Sequence, residues 1–419
     1  MIENRTLDNG IRVVMEKLNH VKSVSVGIWV KAGSVDETAE NLGISHFIEH
    51  MMFKGTELRS AKRIAEDVDR IGGHMNAFTG KEATCYYIKV LEENLDKACE
   101  ILIDMFSNSK FDEDELSKER NVIFEEIKMI EDSPEDYVGD LLLEMVFKGS
   151  SLEKPIIGTQ VSLSEIDRRA MLDYISNKYT ADNIVISLAG NFNPDRVCQI
   201  FNQKLRINST GFPRKAHREI PYIPDYQVRI KDVEQSHICM GLKGVPQEDE
   251  LYFSMILLNS IIGGSMSSRL FQNIREQKGL AYSVYSSSSS FVYDGIYSIY
   301  AGVSHEKIDA AIEGIADEMK MVGSHGIGEE ELIIAKEQLK SNYVFGQENV
   351  NNRMYTNGKR TLLLPKLLTT QEILDKIDQV GMDELKRTAD RITDINKYSA
   401  ALISNQDFNI NNKIRSLLG

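Results

Sequence analysis

Two stretches far apart in the chain, DELSKERNVIFEEIK at residues 114–128 and EELIIAKEQLKSNYV at residues 330–344, share an acidic start and a similar succession of apolar and charged residues. An internal repeat constrains the fold strongly, because each copy is expected to build a similar unit. The order of local signals repeats as well: strands, a short apolar helix, a Gly-rich turn, further strands, then long helices. SVSVGIWVKAG in the first half and SHICMGLKGV in the second both read as apolar, alternating strands. A chain of 419 residues with 42% apolar residues is too long for one ordinary core and predicts two domains. Three of the eight prolines, Pro213, Pro221 and Pro224, fall close together and mark an irregular connector. The expected division is a first domain at 1–210, a linker at 211–224 and a second domain at 225–419.

The first half carries the cluster His46-Phe47-Ile48-Glu49-His50. In a helix, His46 and His50 stand one turn apart on a single face, with Glu49 beside them. Two imidazoles converging on one point suit Zn²⁺, and an adjacent carboxylate can take a proton from water at the metal. The spacing is that of the inverted zincin motif, HxxEH. Leu42, Ile44, Phe47, Ile48, Met51 and Met52 supply an apolar stripe and Gly55 a stop, so a short buried helix is predicted.

A third ligand is expected from a rigid element elsewhere. The segment from Asp112 to Ile130 reads as a long helix with acidic first turns, favourable to the helix dipole. Glu119 and Glu126 share one of its faces. Two turns separate them by roughly 10.5 Å along the axis, so only one can bind a given ion directly. The other, if functional, would orient a ligand. Helix geometry alone leaves the choice open. Aligning Glu115 with Glu331 sets Ala335 opposite Glu119 and Asn342 opposite Glu126, and LYFSMILLNSIIGG, at the short-helix position of the second half, has no His. The second copy is therefore expected to lack a metal site.

GISHFIEHMMFKGT, then IGGHMNAFTGKEATCYY, then the Glu119-Arg120 to Glu126 segment occur in order. Together they resemble the catalytic half of the mitochondrial processing peptidase and pitrilysin family of zinc endopeptidases, and the resemblance extends over most of the chain. It implies an α+β protein of two homologous domains, each a mainly antiparallel sheet covered by helices. It further implies that His46, His50 and Glu126 bind zinc, that Glu49 is the general base, and that Glu119 supports a ligand from behind. The strand predicted at His74–Thr79 would hold substrate as an added strand, with Asn76 and Ala77 against the peptide. His74 is left out of the ligand set, since a catalytic metal needs an open position. In the second half, Arg275 and Tyr282 resemble a pair that the family brings to the active site from its far half. There Tyr282 would donate to the developing oxyanion and Arg275 would hold the substrate or support the tyrosine.

Composition excludes other classes. With 49 basic and 63 acidic residues, the net charge of −14 disfavours nucleic acid and permits a basic peptide substrate, although most of the charge is spread along the chain and reads as solubility. No run of eighteen apolar residues predicts a membrane span, and the N-terminus has neither a secretory nor a transit pattern, so a cytoplasmic chain is expected. Cys85, Cys99, Cys198 and Cys239 are scattered without a CxxC and read as reduced thiols. The serine run Ser286–Ser290 has no triad context, and Gly263-Gly264 lacks the ending of a phosphate loop. By resemblance, the chain is half of a closed chamber, which makes a homodimer the expected assembly and a heterodimer with a related chain the alternative.

Overall fold

The computed structural model describes residues 2–207 and 220–416. Of the expected connector 211–224, residues 211–219 lie outside the described residues. The chain forms two compact units, and neither is continuous in sequence. One takes Met1–Ile127, described residues 154–207, and Phe345–Leu367. The other takes Lys128–Glu153, described residues 220–344, and Leu368–Gly419.

The sheet of the first unit is built from β1 (Ile2–Thr6), β2 (Arg12–Lys17), β3 (Ser23–Val30), β4 (His74–Thr79), β5 (Thr84–Leu91) and β6 (Ile184–Gly190), in the order β1-β2-β6-β3-β5-β4. Only β2 and β6 run parallel. The second unit holds β7 (Tyr226–Ile230), β8 (Ser236–Lys243), β9 (Ala281–Ser290), β10 (Gly295–Val303) and β11 (Ser399–Ser404), in the order β7-β11-β8-β10-β9. Here only β7 and β11 are parallel. Setting β1 aside, strand order and pairing sense are the same in both sheets, so the repeat read from sequence is a repeat of topology. The long helices agree: Glu113–Glu131 and Glu329–Gln347 have 19 residues each and begin at the offset that pairs Glu115 with Glu331.

The helix that follows each long helix packs on the sheet of the other sequence half. Pro134–Val146 lies against β8 and β11, and Val350–Leu363 lies against β6, β3 and β2. The sequence supports this with small residues under the helices. A Cβ on Gly27 of β3 would meet the Met354 sulfur at 2.5 Å, and one on Gly241 of β8 would meet Leu142 at 2.9 Å. A Cβ on Gly358 would collide with the Trp29 indole nitrogen. The Ser187 hydroxyl donates to the Met354 carbonyl at 2.8 Å. Buried Glu16 on β2 receives Arg353 and, at 2.9 Å, the Asn357 amide.

With helices on both faces, β3 is buried from Val24 through Val30 rather than on alternate residues, the burial typical of a strand covered on two sides. The opposite face of this sheet carries Phe47, Ile48, Met51, Leu102 and Ile123 in one core, while a separate core surrounds Ile238, Met255, Leu258 and Ile312 in the second unit. All four cysteines are free thiols, with Cys198 half-buried and the others buried. No helix among the described residues is long and apolar enough to cross a membrane.

Candidate metal centre

The HxxEH residues lie on α1 (Ile44–Met52), whose apolar face buries Ile44, Phe47, Ile48, Met51 and Met52. That burial fixes the helix and turns His46, Glu49 and His50 away from the core. Its N-cap, Gly43, has φ +87°, a left-handed conformation that suits glycine. A Cβ there would also strike the Ile157 carbonyl at 2.6 Å. The buried Glu37 carboxylate accepts from the Gly43 N–H at 2.7 Å and the Ser45 N–H at 3.0 Å. It thereby satisfies free donors of the first turn and sits at the positive end of the helix dipole. Burial pushes this carboxyl up to about 7, against those two donations.

The long helix Glu113–Glu131 supplies the third side chain. The Glu126 Oε2 atom lies 3.5 Å from His50 Nε2 and 3.9 Å from His46 Nε2, and the two imidazole centroids are 4.6 Å apart. One donor atom from each of the three residues falls within 4.8 Å of the others. Tetrahedral zinc with bonds near 2.0–2.2 Å sets its ligand atoms about 3.3 Å apart, so this triangle is close to the required size. Its two-nitrogen, one-carboxylate composition also fits zinc and leaves a coordination position for water or substrate.

Protonation suits the same use. Burial, with His50 second, pulls His46 down to about 4, so its ring is neutral, as a metal ligand must be. The His50 Nδ1 atom lies 3.1 Å from Glu119 Oε2. A carboxylate accepts, so a proton on Nδ1 satisfies this contact and leaves the Nε2 lone pair on the Glu126 side for a metal. Glu119 is buried, in line with Leu116, Ile123 and Ile127 on one face of its helix.

Glu49 accepts a hydrogen bond from the Thr79 hydroxyl at the end of β4. Burial pushes the Glu49 carboxyl upward, against that bond. β4 is an edge strand of its sheet. Its residues alternate, with His74, Asn76 and Phe78 exposed and Met75, Ala77 and Thr79 half-buried. The Asn76 side-chain oxygen accepts from the Ala77 N–H at 2.9 Å.

Arg275 and Tyr282 belong to the second unit. Arg275 sits in a π-helix, Phe271–Gln277, with its guanidinium 4.7 Å from the Phe271 ring centre and 5.8 Å from that of Tyr282. Tyr282 is 76% exposed at the start of β9, which is also an edge strand. The helix Tyr252–Ile262, matching α1 in order, contains no histidine. Three contributors escaped the sequence reading: Glu37, Thr79 and Lys54, which pairs with Glu119. Lys54 stands one helical turn beyond His50, and that spacing was the available signal for it.

Comparison with known proteins agrees with the two-domain repeat. Residues 12–160 match the family profile described as insulinase (Peptidase family M16), and residues 165–339 match the profile described as the Peptidase M16 inactive domain. The chain is 42% identical over 408 residues to the uncharacterized zinc protease YmxG of Bacillus subtilis (strain 168), covering 96% of this chain and 98% of that one. It is 39% identical to an uncharacterized zinc protease of Rickettsia felis, over 92% of this chain and 93% of the relative. Among solved structures, a protease from Helicobacter pylori has the same fold, with a TM-score of 0.91 at 22% identity, covering 96% of this chain and 99% of that one. A chain of complex III2 from Candida albicans also shares it, with a TM-score of 0.86 at 19% identity and full coverage of both. On these matches, the chain belongs to peptidase family M16, the insulinase family.

Proposed function

We propose that this chain is a zinc-dependent endopeptidase in which His46, His50 and Glu126 hold the metal. The observation that carries this reading is the triangle of two imidazole nitrogens and one carboxylate oxygen within 4.8 Å, with Glu49 on the same helix. Zinc bound there supplies Lewis acidity, lowering the pKa of water and polarising a peptide carbonyl. Glu49 takes the proton from the attacking water, an assignment supported by a carboxyl that burial has made more basic. The same carboxyl then returns the proton to the leaving amine. Thr79 holds one Glu49 oxygen through its hydroxyl, orienting the base. Glu119 fixes the His50 ring through Nδ1.

Substrate lies extended along β4, which as an edge strand can pair with a peptide backbone whatever its side chains. Asn76 and Ala77 contact that backbone. Such a mode suits unfolded or short peptides, including those with basic residues, enclosed in a chamber built from two copies of the chain in the cytoplasm. A heterodimer with a related chain would serve the same geometry. Tyr282 and Arg275 come to the reacting carbonyl from the partner copy, the tyrosine as oxyanion donor and the arginine as its support. Their mutual stacking and the exposure of Tyr282 support this role. A non-catalytic core subunit and a peptide-binding clam of the same fold are the rivals; the complete donor set speaks against the first, and the second would need an intact site that stays idle. The deciding experiment measures zinc content and cleavage of a peptide mixture by the wild type and by Glu49→Gln. Wild-type protein without zinc, or cleavage unchanged in the variant, would refute the reading.

A further inference from the structure

We infer that Lys54 is a positioning residue for the metal site, acting through Glu119 on His50; this rests on the reading that His46, His50 and Glu126 hold zinc. The ammonium of Lys54 is ion-paired with Glu119 Oε1, while Oε2 of the same carboxylate lies 3.1 Å from His50 Nδ1. One carboxylate therefore joins a lysine on one side to an imidazole on the other. The Glu119 side chain is only 7% exposed and that of Lys54 29%, so the pair sits where water screens it weakly.

Chain geometry makes the arrangement specific. Lys54 follows α1 directly, and its backbone N–H bonds to the Met51 carbonyl at 3.0 Å, continuing the turn beyond the helix. Its side chain is thereby directed back toward the face that carries His50. Glu119 itself lies in an otherwise apolar row with Leu116, Ile123 and Ile127, where a carboxylate without a partner of opposite charge is costly to bury. His50 alone offers it one contact at Oε2. Lys54 occupies Oε1, so the carboxylate cannot rotate away from the imidazole without giving up the ion pair. The consequence falls on the metal: a His50 ring free to turn presents Nε2 to Glu126 less often, and zinc binds more weakly.

The test is a cycle of variants in the full-length protein, Lys54→Met, Lys54→Arg, Glu119→Gln and Lys54→Met with Glu119→Gln, read by zinc affinity in competition with a chromophoric chelator. Losses behind a metal ligand run to about 10–100-fold, and one contact further out Lys54→Met should weaken zinc about 3–10-fold. Lys54→Arg should recover most of that loss. In the Glu119→Gln background, Lys54→Met should have little further effect, because the path to His50 is already cut. Wild-type affinity in Lys54→Met, or the same loss with and without Glu119, would overturn the inference. If Lys54→Met does not fold, Lys54→Gln replaces it under the same criteria. Should the wild type bind zinc no better than His46→Ala does, it is the metal assignment that fails, and the two failures are told apart.

Discussion

His50 Nδ1 meets Glu119 Oε2 at 3.1 Å, and that contact decides which imidazole nitrogen faces Glu126. Helix spacing had left Glu119 and Glu126 as equal candidates. The fold separates their positions: Glu126 approaches both Nε2 atoms, whereas Glu119 is buried behind the ring.

Metal dependence is the first prediction. Chelation should abolish peptide hydrolysis and added zinc should restore it, while His46→Ala, His50→Ala and Glu126→Gln should each lower zinc affinity. Undiminished cleavage after rigorous metal removal, with residual metal checked by mass spectrometry, would end the zinc hypothesis.

Glu49 and Glu119 should differ in kind. Glu49→Gln should retain about one zinc per chain and lose at least about 10² in turnover. Glu119→Gln should lose zinc affinity by roughly 10–100-fold. If Glu49→Gln loses its metal together with its activity, Glu49 has been given the wrong role.

Sharing of the site between copies is open to a mixing experiment. A Glu49→Gln subunit combined with a Tyr282→Phe subunit should form heterodimers with one doubly altered site and one intact site, and activity should return. Demonstrated subunit exchange without recovery would leave Arg275 and Tyr282 acting within their own chain or serving structure alone.

Glu37 carries a pH signature. Its carboxyl rises from the ordinary 4.5 to about 7 in the folded chain, so the folded state binds this proton more tightly than the unfolded state does. The stability it contributes is complete below the unfolded value of 4.5 and is lost as pH rises through about 7. Glu37→Gln has no such titration. Measured by urea midpoints in zinc-free buffer, its stability relative to wild type should improve between about pH 5 and pH 8. A midpoint difference that stays constant with pH would contradict this.

What could be read from sequence was what depends on near neighbours. The HxxEH face, the two long helices and the matching strand order all follow from local periodicity or from comparing one half with the other. Thr79 against Glu49, Lys54 against Glu119 and Glu37 beneath Gly43 depend on how loops and strand ends fold back, which no period encodes. β3 was read as alternating, yet it is buried from Val24 onward because Val350–Leu363 covers it, a contact spanning most of the chain. In retrospect, Gly27 and Gly241 within apolar strands were the visible sign that something passes close by.

The exchanged helices also set an order of events during synthesis. Every proposed metal ligand is in place by Glu126, and the strands of that sheet by Gly190, but its second covering layer is completed only at Leu363. At a ribosomal pace of roughly 5–20 residues per second, that apolar surface stays bare for on the order of ten seconds. During the interval the nascent chain is a substrate for chaperones and an aggregation hazard. A product cut short before Val350 would hold all three ligands and still lack one wall of the sheet beneath them.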